Sequence, residues 1–63
     1  MTPADIKALR LAIPEYQDEF AARLGVSRQT ISDWETGRRT PSIENQRKLK
    51  ELKLIISNNV DFS

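Results

Sequence analysis

At 63 residues the chain is one domain at most, residues 1–63, near the lower size limit for folding alone. It has no cysteine for disulfides and neither histidine nor cysteine for a zinc site. Its longest apolar run cannot span a membrane, and its N-terminus lacks the basic region and apolar core of a signal peptide, so a cytoplasmic protein without membrane contact is expected. The net charge of +1 conceals a division: residues 1–22 hold two basic and four acidic side chains, residues 23–53 eight basic and four acidic, and a polyanion would have to lie against the second group.

Thr2-Pro3 is a helix-start signal, a capping hydroxyl followed by proline at the first helical position, and Asp5 in the first turn favours the dipole. Ile6, Leu9 and Ile13 mark one face, Leu11 and Ala12 are unassigned, and a helix from Pro3 to Ala12 is predicted. Pro14 cannot extend it without cost. Ile13-Pro14-Glu15-Tyr16 is therefore either a short loop or the start of a second helix with Pro14 at its first position.

From Gln17 to Glu35 the chain reads as two short helices joined by a tight turn. Phe20, Ala21 and Leu24 recur at helical spacing, and the pattern stops at Gly25, the residue that most easily takes the left-handed conformation past a helix end. Val26 follows as an apolar plug, and Ser27 is a good N-cap for a helix starting near Arg28. With Ile31 inward, Trp34 also points inward, while Gln29, Ser32, Asp33 and Thr36 point to water. The small Ala21 suits two helices crossing closely at a steep angle.

Thr36-Gly37-Arg38-Arg39-Thr40-Pro41 is a positively charged loop with a helix-ending glycine. Ser42 can cap a last helix with Ile43, Leu49, Leu52 and Ile56 on its inward face and Arg47, Lys48, Lys50 and Lys53 solvated. Ser57-Asn58-Asn59 suggests its end. Leu54, Ile55, Val60 and Phe62 exceed what a small monomer core needs; they form a subunit contact or cover the bottom of the fold.

The opening Gln17, the run EFAARLGVSRQTIS from Glu19 to Ser32 and the closing WETGRRTPS from Trp34 to Ser42 together resemble the helix-turn-helix of the lambdoid phage repressor and Cro proteins and their bacterial relatives, over roughly Ile6 to Ser42. The resemblance implies a compact all-α bundle of four or five helices. It also implies a pair between Arg10 of the first helix and Glu35 at the end of the third, where an unpaired carboxylate on the edge of the inward face would be costly. Two solvated charges are the alternative. One departure stands out: relatives commonly carry glycine, an apolar residue and serine or threonine where this chain has Pro14, Glu15 and Tyr16. The expected cap before Gln17 is missing, Glu15 would repel a phosphate, and Tyr16 either supplies a hydroxyl or simply packs.

An enzyme is not expected: a serine or threonine nucleophile would be unassisted, the carboxylates are scattered, and there is no glycine-rich phosphate cradle or metal cluster, so neither cofactor nor metal is implied. In the helix-turn-helix the second helix lies in the DNA major groove with its N-terminal residues at base edges. That geometry makes Arg28, Gln29, Ser32 and Asp33 the candidate base readers. Gln29 suits adenine, Arg28 guanine or a phosphate, and Asp33 a cytosine amino group or the orienting of Arg28. Ser27 and Thr30 would meet the backbone, Gln17 would touch phosphate through its amide as in the family, and Arg38 and Arg39 would grip the backbone. The reading is a transcription regulator, repressor or Cro-like, binding a near-palindromic operator as a homodimer. The alternative is an antitoxin-type protein whose C-terminal segment binds a protein partner.

Overall fold

A computed structural model describes residues 1–60, with side chains through residue 57. Four helices follow one another: α1 (Pro3–Ala12), α2 (Gln17–Leu24), α3 (Arg28–Thr36) and α4 (Ile43–Val60). They form a compact all-α bundle containing a helix-turn-helix, α2 to α3, as the resemblance implies. Ile6 and Leu9 of α1, Phe20, Ala21 and Leu24 of α2, Ile31 and Trp34 of α3 and Leu49 of α4 make one buried core, with Ile13, Val26, Leu52 and Ile56 packed against it.

Local chemistry sets the helix ends. The Thr2 hydroxyl accepts the Asp5 N–H at 3.2 Å while the Asp5 carboxylate accepts the Thr2 N–H at 2.9 Å, a reciprocal cap, and Pro3 occupies the first turn. Gly25 has φ +71°, and the α2 carbonyls of Ala21 and Ala22 accept from Val26 and Gly25 at 3.0 and 3.3 Å. Gly37, at φ +81°, ends α3 in the same way: Asp33 accepts from Arg38 at 2.9 Å and Trp34 from Gly37 at 3.4 Å. Both are six-to-one helix endings that need a residue without a Cβ penalty. Ser27 caps α3 by accepting the Thr30 N–H at 3.2 Å, and Ser42 caps α4 through the Asn45 N–H at 3.3 Å.

Four expectations need correction. Ile43 lies on the open side of α4, 72% exposed, because it precedes Leu49 by six residues and so sits about 120° round the helix from it. The half-buried Asn45 and Gln46 take the inward positions of that turn, and Pro41 is buried in front of them. Helix α4 does not stop at Ser57-Asn58-Asn59 but runs on to Val60. Serine and asparagine lower helix propensity by only about 0.5 kcal/mol each, and without glycine or proline nothing breaks a helix already propagating. Tyr16 neither packs nor caps with its hydroxyl; it is 78% exposed, and Glu19 reaches back instead to accept the Tyr16 N–H at 3.0 Å. Lys48 is half-buried, its ammonium 3.4 Å from the Leu24 carbonyl at the C-terminus of α2, where a cation meets the helix dipole favourably. Ile13 to Tyr16 form a loop, not the start of α2. Leu54 and Ile55 are exposed, so they do not close over the core; the side chain of Val60, and Phe62, lie outside what is described.

Arg10 and Glu35 do pair. Arg10 Nε donates to Glu35 Oε2 at 2.7 Å and Nη2 to Oε1 at 3.0 Å, with side chains only 11% and 5% exposed. Gln17 Nε2 adds a bond to Oε1 at 3.2 Å, and Arg10 Nη1 reaches the Glu15 carbonyl at 2.9 Å. Burial pushes the Glu35 carboxyl up, but the bonds from Arg10 and Gln17 and the charge of Arg10 outweigh it and hold it below the ordinary glutamate value. The hydrogen bond to Glu35 raises Arg10 in turn.

Glu35→Ala strands a nearly buried guanidinium and should lower stability by about 3 kcal/mol or more, read from a denaturant melt. Because the folded carboxyl titrates below its unfolded value, its stabilisation is complete above the ordinary 4.5 and is lost as pH falls through the lower folded value. Thermal melts should therefore be flat from neutrality to that point and fall below it, with a shallower fall in Glu35→Gln. An equal acid slope in the two proteins would show that Glu35 is not the responsible group.

Candidate nucleic-acid interface

The face of α3 turned away from Ile31 and Trp34 is polar throughout. Arg28 and Gln29, at its N-terminal turn, are exposed together with Ser27, and Arg38 and Arg39 are exposed in the loop beyond it. Thr30, Ser32 and Asp33 are half-buried, less outward than the helical wheel suggests for Ser32 and Asp33. Ser27 and Thr30 bond to each other through their hydroxyls at 2.9 Å in addition to the cap. Their first role is therefore to hold the start of α3, and each hydroxyl oxygen still has capacity for a phosphate contact.

Along the same face Gln29 Nε2 donates to Asp33 Oδ1 at 3.0 Å, and Arg39 Nε stands 3.8 Å from Asp33 Oδ2. The sequence reading expected Asp33 to face a cytosine or orient Arg28. In the structure it engages Gln29, one helical turn away, and the arginine of the following loop. The Gln29 to Asp33 spacing of four residues was the available signal for this contact.

Gln17 opens α2 and is half-buried, with one amide N–H on Glu35; among the described residues its other N–H and its oxygen have no side-chain or backbone partner. A shallow groove brings it beside Arg28, with Arg10, Tyr16 and Asp18 on the walls, so the start of α2 and the start of α3 share one concavity. Arg10, expected as a structural partner of Glu35, thus also lines the groove, with its guanidinium held by Glu35 and the Glu15 carbonyl. Glu15 forms a bidentate pair with Arg23, Nε to Oε1 and Nη2 to Oε2 both at 2.9 Å. The hydrogen bond from Arg23 lowers the Glu15 carboxyl below its ordinary range, so it stays ionised and paired. Their separation of eight residues spans a loop and a helix, which no periodicity argument addresses.

Arg23 and Lys48 are thereby engaged within the fold, whereas Arg28, Arg38 and Arg39 stay at the edges of α3. Cations flanking a polar helix face, with helix N-termini and amides between them, can hold two phosphate tracks while the helix meets base edges. Among the described residues no group of three or more acidic, histidine or cysteine side chains is arranged to hold a metal.

Residues 17–52, more than half of the chain, match a family model described as helix-turn-helix; the match spans α2, α3 and the first half of α4. No curated protein and no solved structure matches the chain.

Arg38→Ala and Arg39→Ala should each weaken operator and random DNA alike and reduce the slope of log affinity against log salt by about one unit. Base preference should stay as it is in Arg38→Ala, whose side chain is not paired with the reading face. Titrations at several salt concentrations decide this, and an unchanged slope in both variants would reassign the loop to solubility.

Proposed function

We propose, from the premise that this chain belongs to the helix-turn-helix family, a DNA-binding transcription regulator of the phage repressor and Cro type that reads a near-palindromic operator as a homodimer in the cytoplasm. The observation that carries it is the outer face of α3, polar from Ser27 to Thr36 and bracketed by Arg28, Arg38 and Arg39, on a helix fixed by two glycine turns. Laid in the major groove, that face puts Arg28 and Gln29 nearest the bases, with Ser32 and Asp33 one turn further. Gln17, Ser27, Thr30 and the two loop arginines take the phosphates on either side.

Two copies follow from reach. One recognition helix covers only a few base pairs, and paired helices about 34–36 Å apart meet successive major-groove faces. Leu54 and Ile55, 65% and 55% exposed on the second half of α4, are apolar surface suited to that pairing. The same surface favours a second reading, an antitoxin-type protein that holds a different protein there and uses its DNA-binding face for autoregulation. Light-scattering mass, alone and with a candidate partner, separates the two.

Selection of random duplex DNA by the purified protein, followed by footprinting, tests the reading. The expected outcome is one enriched motif with two inverted half-sites and two chains bound per site. A footprint of one half-site with a single chain at saturation would remove the dimer. Gln29→Ala should then cost roughly 1–3 kcal/mol on the best operator and relax the preference at one position per half-site, while random DNA binds nearly as before. Its fold should survive, since loss of an exposed pair at four-residue spacing costs only about 0.2–0.5 kcal/mol. Preference unchanged at every position would take Gln29 out of the readout.

A further inference from the structure

The contact between Gln29 and Asp33 decides more than where a side chain rests. An ionised carboxylate can only accept, so the amide atom 3.0 Å from Asp33 Oδ1 has to be the nitrogen, and the orientation of the Gln29 amide is fixed by chemistry. A glutamine without such a partner can turn its amide either way. It can then offer both N–H groups to the O6 and N7 of guanine, or one N–H and its oxygen to the N7 and N6 of adenine.

With one N–H committed to Asp33, the amide retains its oxygen and a single N–H for the groove. That pair matches adenine in full. Cytosine satisfies the oxygen through its N4 amino group but leaves the N–H without a partner on that base. Guanine, through O6 or N7, and thymine, through O4, can each accept the single N–H but leave the amide oxygen unmatched beside an acceptor.

A carboxylate on a DNA-facing helix ordinarily weakens binding to a polyanion. Here Asp33 is held back at the helix surface, its side chain 15% exposed, with Arg39 Nε 3.8 Å from its second oxygen. One oxygen accepts from Gln29 and the other has only a loose ion pair with the exposed Arg39, so its closest link to the groove runs through Gln29.

We propose that Asp33 is a positioning residue that fixes the Gln29 amide with its oxygen and one N–H toward the groove, so that α3 selects an A·T pair, whose adenine N6 and N7 satisfy both, over a G·C pair at one position of each half-site. The proposal rests on the reading that α3 occupies the major groove. It assigns Asp33 a role in discrimination rather than in affinity.

Parallel selections from random duplex DNA with the unaltered protein, Gln29→Ala, Asp33→Ala, Asp33→Asn and the double alanine variant test it, alongside thermal melts and titration of a random duplex. The position that loses its preference in Gln29→Ala is the one to read. It should be an A·T pair in the unaltered protein. Asp33→Ala should reduce its preference over a G·C pair from about tenfold or more to below about threefold, leaving random-duplex affinity no weaker. Asp33→Asn can donate as well as accept, so it no longer dictates which amide atom faces it and should retain only part of the preference, and the double variant should match Gln29→Ala at that position. A G·C pair there in the unaltered protein overturns the proposal. So does preference undiminished in Asp33→Ala, or a change confined to a different position, which would mean a direct base contact by Asp33. If Asp33→Ala does not fold, the base selected by the unaltered protein decides. Failure to enrich any sequence would overturn the major-groove reading itself, and the proposal with it.

Discussion

The buried carboxylate of Glu35 is the constraint that the arrangement of α1, α2 and α3 answers. At 5% exposure it has lost its water, and its two oxygens have to find donors inside the protein. Those donors come from α1, through Arg10, and from the first residue of α2, through Gln17. A slip of any one helix by a turn would leave a charge or an amide stranded, so the bonds fix how the three helices sit. Replacing such a pair with apolar groups can be neutral for stability, whereas removing one partner is costly; its value lies in excluding other packings.

That fixed frame makes the outer face of α3 a defined surface. The helix begins on a serine cap and ends on a left-handed glycine, and its inward side is held by Ile31 and Trp34, 0% and 3% exposed. Its outward side chains are in turn tied along the helix: Ser27 to Thr30, Gln29 to Asp33, and Thr36 to the Ser32 carbonyl at 2.9 Å. Side chains already ordered lose less freedom on meeting a ligand, which favours a face that recognises shape and hydrogen-bond pattern. The cations flank this face, and the acidic residue within it is paired.

The signals legible in the chain were those in which one residue type meets one backbone requirement. Gly25 and Gly37 mark left-handed turns, Thr2, Ser27 and Ser42 accept backbone N–H groups, and Phe20, Leu24, Ile31 and Trp34 keep helical spacing, so the four helices and the turn between α2 and α3 could be read directly. Where the reading erred, the preference was weak or shared. Ile43 was placed inward because it is apolar, although its angle round α4 from Leu49 put it outside. Ser57, Asn58 and Asn59 disfavour a helix too slightly to end one. The capping of α2 by Glu19 in place of a serine three residues earlier was half of a known reciprocal motif, visible only once the side chain is seen to turn back.

The sequence by itself determined the boundaries of α1 and α3 and the end of α2, the apolar set of the core, the helix-turn-helix and the candidate reading face, because each depends on contacts within a few residues and on a period of 3.6. The pair of Arg10 with Glu35, 25 positions apart, is implied by the family resemblance, but only the tertiary structure decided which other groups meet. Glu15 with Arg23, Lys48 with the end of α2, Gln17 with Glu35 and Asp33 with Arg39 join residues 6 to 24 positions apart. Charged side chains are long and most helical positions are solvated, so a residue's type and spacing leave its partner open. The partner is settled when packing the apolar core brings particular helix ends together and removes the water that would otherwise have served.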